Sequence, residues 1–258
     1  MAENQYDFPT EVLDLPSKGV LYPKDSPLYS GKIDIKYMTA KEEDILTSTN
    51  LLEKGIAIDK LLESIIANPK IKLDDMLLGD KNAIMIGARI LGYGKDYEIN
   101  MIDPDTVEEV STVVDLSTIK HKVIDYSLLE QHTDGKFSFK LPNSKRTLEF
   151  KLLTHKDEKQ VEETEKALER ISSTGPQSKL TTRYKQQIHS VDGDTTSTTI
   201  NRFVDNEFLA LDSREFRNYI KSITPDVDLT FDYTGQTGES HTVNIPIGIR
   251  FFWPDTTV

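Results

Sequence analysis

The stretch Lys136-Phe-Ser-Phe-Lys-Leu-Pro-Asn-Ser-Lys-Arg-Thr-Leu-Glu-Phe-Lys-Leu152 decides the fold class, because it has the pattern of two strands joined by a turn. Apolar residues alternate with polar ones on both sides of the turn, at Phe137, Phe139, Leu141, Leu148, Phe150 and Leu152. This alternation is typical of strands with one buried face, and Pro142-Asn143-Ser144 supplies turn residues. We therefore predict a β-rich unit over residues 95–153 that contains a central antiparallel sheet or a small barrel.

The segment before this unit, residues 31–94, is predicted to be a small, mostly helical unit. Its predicted elements are a strand at 31–37 and helices that follow Thr39, span Ile56–Ala67 and span Lys81–Leu91. Thr39 and Glu42 match the S/T-x-x-E capping box, which opens a helix. Asp80 stands where a residue could cap the third helix.

The segment after the β-rich unit, residues 154–258, is predicted to be helical and to close with a β-hairpin. Apolar residues recur at helical spacing at Val161, Leu168, Ile171, Leu180, Tyr184, Ile188, Phe216, Tyr219, Ile220 and Ile223. Alternation from Val227 to Phe251 predicts the hairpin, with its turn at Gly235–Gly238. Pro246 within the second strand indicates an edge strand or a bulge. The whole chain is thus predicted to be an α+β fold.

Residues 1–30 have the pattern of an extended, proline-rich arm. The arm carries four of the eleven prolines, and proline disfavours helix in itself and in the residue before it. Apolar residues, among them Leu15, Leu21 and Tyr22, are spread between the prolines. Two interpretations stay open: a strap across the chain's own domain, or an arm that binds a neighbouring subunit through these three residues.

Composition narrows the classes of function. The 258-residue chain has a net charge of -12, so phosphate backbones repel it and nucleic acid is not an expected partner. No apolar run approaches the roughly 20 residues that span a membrane, and the N-terminus lacks the pattern of a signal peptide. The chain has no cysteine, which excludes disulfides and thiolate chemistry and is compatible with assembly in a cytoplasm.

No pattern of catalytic or metal-binding residues is visible. The five histidines are scattered, without H-E-x-x-H spacing, and no nucleotide-binding glycine motif occurs. Asp192-Gly193-Asp194 resembles the start of a calcium loop, but the residues that follow lack the remaining ligands. We therefore expect no cofactor, no metal and no enzymatic activity.

The most unusual feature is the aromatic run Arg250-Phe251-Phe252-Trp253-Pro254. Consecutive aromatics on a strand point to both faces. Alternation places Phe251 on the buried face with Val243 and Ile245, and Phe252 on the other. Phe252 and Trp253 are therefore candidates for contacts with another protein, and packing within the chain is the alternative.

Several segments together resemble one family, the baseplate proteins of T-even-like contractile-tailed bacteriophages. The matching segments are Leu15–Gly19 with Tyr22-Pro23, Tyr37–Thr47, Gly55–Leu62, Leu78–Asp80 with Arg89 and Tyr93-Gly94, and Ile245-Pro246 with Phe251–Pro254. They occur in the same order at both ends of the chain. The motifs carry no catalytic residues.

The resemblance implies a structural component of the baseplate hub in the virion, whose partners are other hub and tail proteins. A homo-oligomer is possible in that setting. An assembly chaperone that is absent from the mature virion is the alternative, and a tail-associated hydrolase is a remote one. The resemblance also implies a Cys-x-x-Cys knuckle in the C-terminal hairpin of some members. This chain has Tyr233–Gly238 there, so we expect hairpin pairing to hold the turn unaided.

Overall fold

The computed structural model describes residues 9–132, 135–171 and 179–252, and every structural statement below concerns those residues. Nine α-helices and nine β-strands lie within these ranges. The helices are α1 (Ala40–Thr47), α2 (Thr49–Glu53), α3 (Ala57–Ile65), α4 (Leu78–Tyr93), α5 (Tyr126–Glu130), α6 (His155–Ile171), α7 (Lys179–Gln187), α8 (Ser197–Arg202) and α9 (Ala210–Ile223). The strands are β1 (Thr10–Asp14), β2 (Lys32–Lys36), β3 (Asp96–Ile102), β4 (Glu109–Asp115), β5 (Lys136–Lys140), β6 (Thr147–Lys151), β7 (Ile188–Val191), β8 (Thr230–Thr234) and β9 (Ser240–Asn244).

The described strands pair antiparallel in four small sheets. Three sheets are the hairpin-like pairs β1–β2, β3–β4 and β8–β9, and the fourth has the order β5–β6–β7. None of them closes on itself. The predicted α+β fold with antiparallel sheets is therefore confirmed, and the barrel alternative is wrong. The boundaries of the four predicted units stay a prediction.

The hairpin of residues 136–152 forms as its alternation predicts. Phe137 pairs with Phe150 across β5 and β6, and both side chains are buried. The sequence missed the third strand: the helical spacing was extended to Ile188, but α7 ends at Gln187 and Ile188 begins β7, which pairs with β6. Isoleucine fits a helix stripe and a strand equally well in a short window, so the spacing could not separate the two.

Residues 9–30 lie across the chain's own fold. β1 pairs with β2 in the register Leu13↔Ile33, which extends the strand predicted at 31–37 into a two-stranded sheet. Leu15 and Leu28 are buried in the core. The arm contains a strand although it is rich in proline, because β1 lies between Pro9 and Pro16 and pairs with β2. Residues 1–8 lie outside the described part.

The C-terminal hairpin is shorter than predicted. β9 ends at Asn244, and Ile249–Phe251 form a turn of 3₁₀-helix instead of continuing the strand. The prediction that alternation sends Phe251 and Phe252 to opposite faces is therefore wrong. Both rings are buried, and the Phe251 ring contacts those of Tyr97 and Phe252 at centroid distances of 5.0 and 5.3 Å. Pro246 cannot donate to a ladder, which fits the end of pairing just before it.

Candidate functional site

Asp80 is the centre of a buried network that fixes the arm, which we call the arm lock (Ser17, Tyr22, Leu77 and Asp80). The Asp80 carboxylate accepts from the Ser17 backbone N–H at 2.9 Å, from Ser17 Oγ at 2.7 Å and from the Tyr22 hydroxyl at 2.6 Å. The Leu77 backbone N–H donates to the Tyr22 hydroxyl oxygen at 2.9 Å. Asp80 is completely buried, so the lock excludes water.

This geometry corrects the role that the sequence indicated for Asp80. Helix α4 begins at Leu78, so Asp80 lies in its first turn instead of preceding the helix. Its carboxylate binds the arm across 63 residues of sequence. Burial raises the pKa of Asp80, against the lowering effect of the hydrogen bonds from Ser17 and Tyr22. Burial also raises the pKa of Tyr22, and the neighbouring Asp80 charge adds to this shift.

Two glycines next to the arm lock explain why its motifs contain glycine. Gly19 has a φ of +79°, and a Cβ there would lie 2.3 Å from the Tyr29 carbonyl oxygen. A Cβ on Gly79 would lie 2.0 Å from the Pro225 carbonyl oxygen, because the start of α4 packs directly on the backbone before β8. Two of the segments that carry the family resemblance, Leu15–Gly19 and Leu78–Asp80, therefore build one site.

The five residues proposed as contacts occupy different environments. Leu15, Tyr22 and Phe252 are buried, and Leu21 is half-buried. Trp253 lies outside the described residues. Leu15 and Tyr22 belong to the buried core, Tyr22 as a member of the arm lock, and Phe252 packs in the same core against Phe251. Their packing in the isolated chain is internal, and their role in contacts with another protein stays a prediction.

A second network joins the β3–β4 turn to the β8–β9 hairpin, and we call it the clasp (Asp103, Asp105, Tyr233, Gln236, Thr237 and His241). Asp103 Oδ2 accepts from the Tyr233 hydroxyl at 2.7 Å and from the Gln236 backbone N–H at 3.1 Å. Asp105 accepts from the backbone and hydroxyl of Thr237 and pairs with His241 Nε2. The expectation that hairpin pairing alone holds the turn is therefore wrong.

The clasp carboxylates have lowered pKa values, in contrast to Asp80. The hydrogen bond from Tyr233 is the main cause that brings the pKa of Asp103 down to about 2, and backbone N–H donors of Asp105 and Thr106 add to it. The hydroxyl of Thr237 lowers the pKa of Asp105 in the same way. Nothing in the local sequence around Asp103 indicates a partner 130 residues away.

One carboxylate–histidine pair deserves comparison with catalytic sites. Asp59 Oδ2 lies 2.8 Å from His155 Nε2, and Lys81 Nζ lies 3.1 Å from His155 Nδ1. A lysine ammonium can only donate, so Nδ1 accepts and Nε2 carries the proton that Asp59 binds. Both ring nitrogens are thus occupied. Burial would raise the pKa of Asp59, but hydrogen bonds from His155 and Lys81 outweigh it and bring this pKa to about 2. The cluster joins α3, α4 and α6 and has no free base to offer a substrate.

One group of side chains could hold a cation. Ligand atoms of Asp105, Glu239 and His241 lie within 4.8 Å of one another. The clasp already uses two of these residues, since Asp105 Oδ1 pairs with His241 and Asp105 Oδ2 accepts from Thr237. No local motif indicated this group, because Asp105 stands 134 and 136 positions before Glu239 and His241.

Comparison with known proteins places the chain in a family. No helix in the described ranges is both long and apolar enough to cross a membrane. No curated protein sequence and no solved structure matches the chain. Residues 11–253 match the family model described as T4 bacteriophage base plate protein, and this range includes the arm lock and the clasp. The chain therefore belongs to the family of T4 bacteriophage base plate proteins.

Proposed function

We propose that this protein is a permanent, non-enzymatic subunit of the baseplate hub of a contractile tail. Family membership makes it a structural baseplate protein of the phage tail that contacts other baseplate proteins. The finer assignment to the hub, with hub and tail proteins as its neighbours and without nucleic acid, is our inference. The net charge of -12 argues against a nucleic-acid partner. Assembly in the host cytoplasm precedes its residence in the virion.

The observation that carries this proposal is the way buried carboxylates are used. Asp80 accepts three hydrogen bonds and Asp103 accepts two from segments distant in sequence, and His155 has both ring nitrogens paired. A catalytic acid or base needs a proton or a lone pair that is free to reach a substrate in a cleft. Here the polar groups fix the relative positions of chain segments, as a component that transmits force through a particle requires.

Quantitative mass spectrometry of purified virions and of isolated baseplates tests the proposal. We expect the protein in both at a constant ratio to other hub proteins. Presence in infected cells with absence from virions would contradict it and identify an assembly chaperone. Peptidoglycan cleavage by the purified chain, abolished by a single carboxylate substitution, would identify a hydrolase.

A further inference from the structure

A groove separates two hairpins that the clasp brings together. It has a volume of about 610 Å³ and lies between β4 and β8, with residues 112–115 on one side and 230–234 on the other. Side chains of a strand alternate between its faces, so an unbroken run of residues along a groove indicates that the strand presents its backbone edge. The two strands belong to separate sheets and do not pair with each other.

The backbone groups of both edges point into the groove. In β3–β4 the Leu116 N–H donates to Lys95 O and the Asp103 N–H donates to Glu108 O, which fixes the hydrogen-bonded pairs at every second residue. The residues between them, Val113 and Asp115, therefore turn their N–H and C=O groups away from β3. The bonds Gly235 N–H to Glu239 O and Ile245 N–H to Leu229 O fix β8–β9 in the same way.

By this alternation the outward residues of β8 are Thr230, Asp232 and Thr234, and all three line the groove with Val113 and Asp115. Among the described residues, no backbone hydrogen bond joins the two edges across the groove. Open edges are normally guarded by lysine, proline or a bulge. The sequences Glu109–Asp115 and Thr230–Thr234 contain neither lysine nor proline and are rich in β-branched and aromatic residues.

Both ends of the groove are fixed before anything binds. At one end the Lys122 N–H donates to Asp226 O and the Asp228 N–H donates to Lys120 O. The segments 120–122 and 226–228 therefore form a short antiparallel bridge. At the other end the clasp holds the β3–β4 turn on the β8–β9 hairpin. An occupant is thus limited to about the length of β8, which is roughly 16 Å for five extended residues.

The charge of the lining selects the occupant. Asp115, Asp228 and Asp232 line the groove with a single lysine, Lys120. Asp115 is also paired with Lys95, so Asp228 and Asp232 supply most of the negative charge. A second copy of this acidic chain would bring more negative charge, so a homotypic occupant is disfavoured. We propose that the groove binds a short extended segment with alternating basic residues from another baseplate protein, which pairs its backbone with β4 and β8. The identity of the partner rests on the proposed function, whereas the binding mode does not.

Peptide titration of the full-length, isotope-labelled protein, followed by amide NMR, tests the binding mode. The probes are a five-residue peptide of alternating lysine and valine, the same peptide N-methylated at alternate amides, and its glutamate counterpart. We expect the basic peptide to shift the amides of Val113 and Asp232 and the other two to bind at least about tenfold more weakly. Equal binding of the N-methylated peptide, or no shift at the two edges with any peptide, would overturn the proposal.

Two matched substitutions locate the site. Val113 and Ile102 are 63% and 60% exposed on the same hairpin, but only Val113 lines the groove. Val113→Lys should weaken binding of the basic peptide by about tenfold, and Ile102→Lys should change this affinity by less than about twofold. Equal effects would mean that net charge alone drives binding and would overturn the groove as the site.

Hydrogen exchange in isolated baseplates then examines the natural partner. The amides of Val113, Thr230 and Asp232 should exchange rapidly in the free protein and slowly in the baseplate. Rapid exchange in a baseplate that contains the protein would contradict the groove proposal and leave the proposed function standing. Absence of the protein from baseplates would contradict the proposed function, and the peptide titration would still decide the binding mode.

Discussion

The arm lock and the clasp use the same chemistry, but the pKa of the central aspartate is shifted in opposite directions. In each, an aspartate accepts from a tyrosine hydroxyl and from backbone N–H groups of a distant segment. Burial dominates at Asp80 and raises its pKa, whereas hydrogen bonds dominate at Asp103 and lower its pKa to about 2. The comparison teaches that a tyrosine donor and backbone donors do not by themselves decide the direction in which the pKa of a carboxylate moves. The arm lock belongs to the core, and the clasp positions a peripheral hairpin.

Deletion of the arm, which removes one of the two compared sites, should cause the largest loss of stability. A chain that starts at Gly31 loses the buried side chains of Leu15, Tyr22 and Leu28 and the partner of β2. Each buried side chain contributes about 1.5–3 kcal/mol, so the sum approaches the whole stability of a typical domain. We expect the truncated chain to be unfolded by circular dichroism. A folded truncated chain would mean that the arm is an accessory segment, available to bind a neighbour.

Phe252→Ala should cost about 3–5 kcal/mol of unfolding free energy, because the ring is fully buried. Phe251→Ala should cost a similar amount, since the two rings contact each other. Urea unfolding of the two variants measures both values. Tyr29→Ala is a control, since that aromatic ring is 45% exposed. A normal stability of the Phe252 variant together with failure to enter the baseplate would restore Phe252 as a contact to another protein.

Asp80→Ala should cost about 2–4 kcal/mol, because the buried donors of Ser17 and Tyr22 lose their acceptor. Asp25→Ala removes an exposed carboxylate from the same arm and should change stability by less than about 0.5 kcal/mol. Urea midpoints compare the two variants. Equal midpoints would show that the arm lock contributes nothing beyond the apolar packing of the arm.

The smallest expected effect is the response to acid, which should be opposite for the arm lock and the clasp. A carboxylate whose pKa is lowered by folding stabilises the fold at pH values above its unfolded-state pKa, and this stabilisation is lost as the pH falls. The clasp should therefore weaken between about pH 4 and pH 2. A raised pKa has the opposite sign, so protonation of Asp80 below its folded pKa should favour the arm lock. Carboxyl NMR titration from pH 7 to pH 2 follows both groups.

Tyr233→Phe sharpens this experiment, because the Tyr233 hydroxyl is the main cause of the low pKa of Asp103. The variant should move the pKa of Asp103 toward its ordinary value, and Tyr37→Phe, at a 39% exposed ring, should leave it unchanged. An unchanged pKa in the first variant would mean that the backbone donors alone stabilise the carboxylate.

Local patterns predicted what local interactions determine. The alternation around Phe137 and Phe150 gave the central hairpin, and Thr39 with Glu42 marked the start of α1, where the Thr39 N–H donates to the Glu42 carboxylate. The family resemblance identified the segments of the arm lock without revealing that they meet. The burial of Phe252 was missed because alternation was extended past Pro246, where the chain leaves the strand.

Contacts between distant segments left no signal in a single sequence. The sequence indicated a cap role for Asp80, since that role suits aspartate before any helix, and it singled out nothing at Asp103. Their partners lie 63 and 130 residues away. The groove was equally invisible, because it exists only where two hairpins from different parts of the chain come together.

The 130-residue separation of the clasp partners has a consequence for biosynthesis. Translation adds about 5–20 residues per second, so Tyr233 leaves the ribosome roughly 7–26 s after Asp103. During that interval the β3–β4 hairpin has no β8–β9 hairpin opposite its β4 edge. The groove is therefore completed near the end of synthesis, and a nascent or interrupted chain cannot present it. A segment that must pair with both edges can therefore bind only after the second hairpin has left the ribosome.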